Sequence, residues 1–127
     1  QAWKGYAFEQ VCLAHVRQIK AALGIQGIIS QSVTWQTSGE GEGAQIDLLI
    51  DRKDRAINVF EIKFSEKPYS ISKEYATQLS WKISIFKEST GTRKTLFLAM
   101  LTPFGVLPNA YSAALLRHDL TMDVLFV

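Results

Sequence analysis

Apolar residues recur along this chain with three different spacings, and each spacing predicts a different element. Between residues 3 and 23, Phe8, Cys12, Ile19 and Ala22 or Leu23 return every three or four positions, with His15 on the same stripe. That spacing predicts a helix, and Gly24 supplies its C-terminal stop. Residues 28–37, IISQSVTWQT, are rich in β-branched side chains and predict a first strand. AQIDLLID (44–51) and AINVFEIKF (56–64) predict a second and a third, joined by the polar turn DRKDR into an antiparallel hairpin. Pro68, Ser70 and Ser72 break the pattern, and Ser72 is placed to cap a second helix over 73–89. That helix carries the stripe Tyr75, Leu79, Ile83, Phe86 and ends at Gly91. The unbroken apolar run TLFLAMLT (95–102) predicts a central strand. A Pro/Gly loop follows, then a weaker strand in SAALLRHD and a last helical turn, MDVLF, capped by Thr121.

The second and third strands contain charges where a buried sheet has no ordinary use for them. Side chains alternate between faces. Ile57, Val59, Glu61 and Lys63 therefore share one face of strand three, and Asn58, Phe60, Ile62 and Phe64 share the other. In strand two, Asp47 and Leu49 share a face, and Ile46, Leu48 and Ile50 take the opposite one. Both faces are partly apolar, which predicts helices on both sides of the sheet. If the hairpin turns on Asp54, position i faces position 108 − i, and Asp47 lies opposite Glu61. Two carboxylates side by side in a sheet repel each other. Burying them unpaired costs several kcal/mol, a sizeable part of the stability of a small domain.

A divalent cation resolves that conflict. Mg²⁺ takes hard oxygen ligands, usually binding through one or two carboxylates with waters and phosphate oxygens. Asp47 and Glu61 supply two such oxygens, and the carbonyl of Ile62 a third. A bound metal lowers the pKa of its water and stabilises charge on a phosphoryl oxygen. Lys63, beside Glu61, is placed to orient that water or to offset the developing charge. These are the parts of phosphodiester hydrolysis.

The residues Gly43-Ala44-Gln45-Ile46-Asp47, followed 14 positions after Asp47 by Glu61-Ile62-Lys63, resemble the signature of the PD-(D/E)XK nuclease superfamily. The resemblance implies a restriction-endonuclease-like α/β fold: an αβββαβ core with a central mixed sheet flanked by helices. It implies Mg²⁺ or Mn²⁺ as cofactor, nucleic acid, chiefly DNA, as substrate, and Asp47, Glu61 and Lys63 as catalytic residues. A Glu on the first helix, here Glu9, and a Gln on the helix after the third strand, here Gln78, support the site in several branches. The RecB branch has a Tyr four positions after that Gln, where this chain has Lys82. Longer stretches, from WKGYAFEQVCLAH to the closing MDVLF, resemble the C-terminal region of bacterial AAA-family ATPases. The expected partners are therefore DNA, an ATPase module in the same full-length chain, and a second copy, since similar nucleases often form dimers. A start at Gln1 inside a helical pattern leads us to expect a single domain, 1–127, cut from a longer protein. STGTRKT (89–95) lies between a helix and a strand, the wrong context for a phosphate-binding loop.

Ordinary explanations stand beside these. Asp47, Glu61 and Lys63 can form a plain ion-pair cluster. Glu9 suits the dipole of a helix start, Gln78 suits a satisfied amide bordering a buried stripe, and Lys82 a solvated lysine. His15 reads as a packed core histidine, and neither it nor His118 has a partner at zinc spacing. Trp3, Trp35 and Trp81 read as core or interface before base-stacking platforms. A catalytically silent docking or nucleic-acid-binding domain of the same fold is the rival to a nuclease. Composition narrows this only slightly. The length of 127 residues and 47% hydrophobic content suit one globular core, and no apolar run is long enough for a membrane helix. The single cysteine, Cys12, excludes an intrachain disulfide and fits a cytoplasmic setting. Net charge is only +2, yet residues 61–94 hold seven Lys/Arg against four acids, a local bias suited to a polyanion.

Overall fold

Apolar residues on both sides of the central hairpin demand two covers, and the chain supplies helices for each. The structure is a computed structural model and describes residues 2–37 and 43–127. The elements run α1 (Ala2–Leu13), α2 (Val16–Ala22), β1 (Ser30–Gln36), β2 (Gln45–Arg52), β3 (Ala56–Ile62), α3 (Lys73–Thr90), β4 (Thr95–Thr102), α4 (Ala110–Leu115), β5 (His118–Thr121) and a closing 3-10 turn, Met122–Phe126. The strands form one mixed sheet in the order β1-β2-β3-β4-β5. The first three are antiparallel, and β4 and β5 run parallel to β3. Among the described residues, no helix is long and apolar enough to cross a membrane.

The two faces bury separate cores. Phe8, Cys12 and Ile19 from α1 and α2, with Leu125, pack on Leu48, Ile50, Phe60, Ala99 and Leu101. Leu79 and Phe86 of α3 pack on Leu49, Ile57, Val59 and Leu98. A smaller cluster of Ile71, Ala76, Met100 and Val106 continues that second face. The β2–β3 register is the one the turn predicts, with Leu48 facing Phe60, Leu49 facing Val59 and Ile50 facing Asn58. The α3 caps are also as expected. Ser72 accepts the Tyr75 N–H, and Gly91 adopts φ 63°, a left-handed geometry that glycine enters without a Cβ penalty.

Several expectations change. The helix expected over 3–23 breaks at Ala14 and His15. The His15 N–H donates to Cys12 O, tightening the last turn, and His15 Nδ1 donates to Val11 O at 2.6 Å. His15 thus satisfies an orphan carbonyl at the end of α1. It is half-buried against Phe126, outside the buried core. The weak strand read in SAALLRHD is helix α4 followed by β5. Asn109 starts that helix with a reciprocal capping box to Ser112. Thr121 occupies the cap position of the final turn, but its side chain makes no capping bond. Trp3 and Trp81 are exposed, while Trp35 is half-buried edge-on to Phe86. Except for Gly43, the acidic loop expected at 38–43 lies outside the described residues.

One irregularity matters most. The β1–β2 pairing runs Val33–Leu49 and then Trp35–Ile46, so β2 carries one extra residue between Ile46 and Leu49. This is a β-bulge. It moves Ile46 off the face of Leu48 and Ile50, where strict alternation puts it, and into the core under α3.

Candidate functional site

The bulge sits at Asp47 and decides what that carboxylate does. Lys63 N–H donates to Leu101 O of β4. By alternation the Ile62 N–H turns the other way, toward β2. The regular β2–β3 pairs end at Leu48–Phe60. Beyond them Asp47 Oδ2 accepts the Ile62 N–H at 2.8 Å, so a side chain takes over where the ladder stops. Ile62 meets Asp47 through this N–H.

Glu61 stands beside that bond on the α3 side. Only 4% of it is exposed, and its carboxyl is held above its ordinary pKa of 4.5, chiefly by burial and further by the Asp47 charge. Lys82 Nζ, from α3, lies 2.7 Å from Glu61 Oε1, and this contact pulls the other way. The Tyr75 hydroxyl lies 3.5 Å from the same oxygen, a long donor contact. Burial, then the Glu61 charge, pushes the Tyr75 pKa far up, so the phenol keeps its proton. Glu61 Oε2 is buried and has no hydrogen-bond partner among the described residues.

The other candidates take defined places around this pair. Glu9 approaches Asp47 from α1. Its pKa is raised first by burial and then by Asp47. Cys12 lies deeper, and burial with the charges of Glu9 and Asp47 pushes its thiol up to about 12. Lys63 shares the side of Glu61, with Nζ 4.9 Å from the Tyr75 ring centroid and 5.8 Å from that of Tyr69. These are cation–π distances. Gln78 is exposed on α3, one turn after Tyr75 and one before Lys82. No hydrogen bond links it to the carboxylates among the described residues.

The structure therefore gathers Glu9, Asp47, Glu61 and Lys63 and leaves Gln78 at the rim. It also adds Lys82 and Tyr75, which the sequence reading assigned to solvent and to an apolar stripe. Their seven-residue spacing, two helical turns, was the signal for a shared face. Lys82 is thus the direct partner of a buried carboxylate.

The donor set fits a hard divalent cation on one observation, an unpaired buried oxygen on Glu61 with a second carboxylate adjacent. Among the described residues no group of three or more His, Cys, Asp or Glu side chains is placed to hold a metal ion. A cation here would complete its shell with waters and substrate oxygens, the habit of Mg²⁺. Comparison of the chain with protein-family models, curated proteins and solved structures found no match.

Proposed function

We propose that this domain is a divalent-metal-dependent phosphodiesterase of restriction-endonuclease-like fold, acting on nucleic acid and chiefly on DNA. One observation carries the reading. Where the β2–β3 ladder stops, Asp47 takes the Ile62 N–H beside Glu61, and one buried Glu61 oxygen is left unpaired among the described residues. The order of a helix unit, three antiparallel strands, a helix and a parallel strand supports it, as does the resemblance of GAQID and EIK to a nuclease signature.

In this reading Asp47 and Glu61 hold Mg²⁺ or Mn²⁺, with the Ile62 carbonyl as a backbone ligand. When bound, the cation would acidify a water and stabilise charge at a phosphoryl oxygen. Lys63 offsets charge developing on the phosphate. Asp47 is fixed in place by the Ile62 N–H on its Oδ2. Glu9 supports the site from α1, beside Asp47, and Gln78 contacts substrate at the rim. Lys67, Lys73, Lys87 and Arg93 have no salt-bridge partner among the described residues. They supply phosphate contacts, so binding weakens as salt rises. The domain serves an AAA-family ATPase module in its full-length chain.

Plasmid, linear and branched DNA incubated with Mg²⁺ or Mn²⁺ test the reading. Wild-type protein cleaves, EDTA stops it, and Asp47→Ala is inactive. Cleavage that is equal in wild type and Asp47→Ala overturns it. The second reading, a catalytically silent binding domain, is favoured by the 2.7 Å Lys82–Glu61 pair, which already neutralises one carboxylate. Under it, wild-type protein binds DNA but leaves it intact with either metal.

A further inference from the structure

Two lysines flank Glu61, and they are differently engaged. Lys63 is nearer in sequence, but its ammonium lies over the rings of Tyr75 and Tyr69. Among the described residues it makes no salt bridge to Glu61. Lys82, 21 positions away, makes that bridge at 2.7 Å. Its side chain is 22% exposed and that of Glu61 5%. The ammonium thus enters from the solvent side of α3 and meets the carboxylate at the edge of its burial. It takes Oε1 alone and leaves Oε2 without a partner among the described residues.

We propose that Lys82 is the resident counter-cation of this site, and that a divalent cation binds in competition with it. The proposal rests on the metal-dependent reading above. A carboxylate this buried beside Asp47 needs a positive charge whenever no metal is present, because an uncompensated charge in the interior is strongly destabilising. An ammonium on a flexible four-carbon stem is suited to that role, since it regains its hydration when it withdraws into water. A divalent ion drawn to Glu61 Oε2 and Asp47 lies within a few ångströms of that ammonium. Like charges at such a distance oppose each other strongly in a partly buried site. Either Lys82 leaves Glu61 as the ion arrives or the ion binds weakly beside it. By linkage, each cation weakens the other to the same degree. The metal affinity of the site is therefore set by Lys82, with Lys63 a minor influence.

Titration of the 127-residue protein with Mn²⁺, followed by electron paramagnetic resonance and calorimetry, tests this without an activity readout. Lys82→Gln removes the charge and keeps an N–H for Glu61 Oε1. It should tighten Mn²⁺ binding at least about tenfold, and Lys63→Gln should produce a distinctly smaller gain. Lys82→Arg keeps the charge and grips a carboxylate with a planar fork. It should bind Mn²⁺ more weakly than wild type, and it tests the idea even if the glutamine variant folds poorly. Wild type that binds Mn²⁺ with an affinity Lys82→Gln does not improve overturns the counter-cation role alone. Wild type that fails to bind while Lys82→Gln binds supports it, with Lys82 holding the site closed. Failure of wild type and Lys82→Gln alike overturns the metal reading itself and this inference with it.

Discussion

Removing the Lys82 charge should destabilise the protein in a way that depends on pH. Lys82→Met keeps most of the aliphatic stem and deletes the ammonium that lies 2.7 Å from Glu61 Oε1. Breaking a buried ion pair from one side typically costs about 3–5 kcal/mol. Here the lysine is 22% exposed, so water refills part of the gap. We therefore expect about 2–3 kcal/mol at pH 8. For a chain of this length that lowers the melting temperature by about 8–12 °C. Glu61 already holds its proton more tightly folded than its ordinary value of 4.5, mainly through burial. Stability from such a group is fully present below the unfolded value and is lost as pH rises through the folded one. Loss of Lys82 raises the folded value further, so the penalty grows as pH rises above the wild-type folded value, which itself lies above 4.5. Near pH 4, where Glu61 is protonated in both proteins, it falls below about 1 kcal/mol. Urea denaturation at pH 4, 5.5, 7 and 8, followed by circular dichroism, measures the trend. Adding Glu61→Gln to Lys82→Met should recover most of the loss, because no buried charge is then left alone. An equal difference at every pH, or one under about 0.5 kcal/mol at pH 8, refutes the argument that Lys82 compensates a buried carboxylate.

Three further outcomes follow from the same neighbourhood and from the far end of the sheet. Asp47→Ala leaves the Ile62 N–H unpaired and should cost about 1–3 kcal/mol by urea denaturation. It should also let the Glu9 pKa fall toward the ordinary carboxylate range, read by NMR titration of the side-chain carbonyl. Cys12 is fully buried, with its thiol pushed up to about 12. It should resist Ellman's reagent at pH 8 in the folded protein and react fully in urea. Gly105→Ala should lower the melting temperature, with a loss of about 1 kcal/mol or more. Gly105 has φ 85°, and an added Cβ meets Thr121 Cγ2 at 3.5 Å and Asp119 Oδ2 at 3.7 Å.

What could be read from the sequence was what local spacing fixes. The polar turn between two alternating runs set the β2–β3 register, because the turn length leaves one pairing that keeps both cores buried. Ser72 and Gly91 marked α3 because capping chemistry is local. The break at Ala14–His15 was hidden because α2 resumes the apolar stripe of α1 and packs Ile19 on the same core as Phe8 and Cys12. In SAALL the apolar run suggested a strand, although Asn109 and Ser112 already carried a capping box that spells a helix start. Lys82 could not be assigned from its neighbours in sequence. Its role depends on α3 crossing β3 at the height of Glu61, a tertiary fact. The bulge at Asp47 was equally silent, since nothing in QIDLLID marks an extra residue in the pairing.

That bulge separates a structural need from a functional one. It ends the β2–β3 ladder early and leaves the Ile62 N–H to be satisfied by a side chain. Any short acceptor meets that need, and asparagine or serine would do so without adding charge. The chain uses an aspartate, sets Glu61 next to it and brings Glu9 in from the opposite side. Each of these two glutamates is held above its ordinary pKa partly by Asp47. One oxygen of Glu61 remains buried and unpaired among the described residues although Lys82 has been brought across to the other. A fold selected only for packing gains nothing from an aspartate whose charge raises the cost of ionising two neighbouring glutamates. Departures from local consistency of this kind concentrate where a protein binds or reacts. In the reading proposed above, a divalent cation at Asp47 and Glu61 would remove the conflict that packing alone leaves in place.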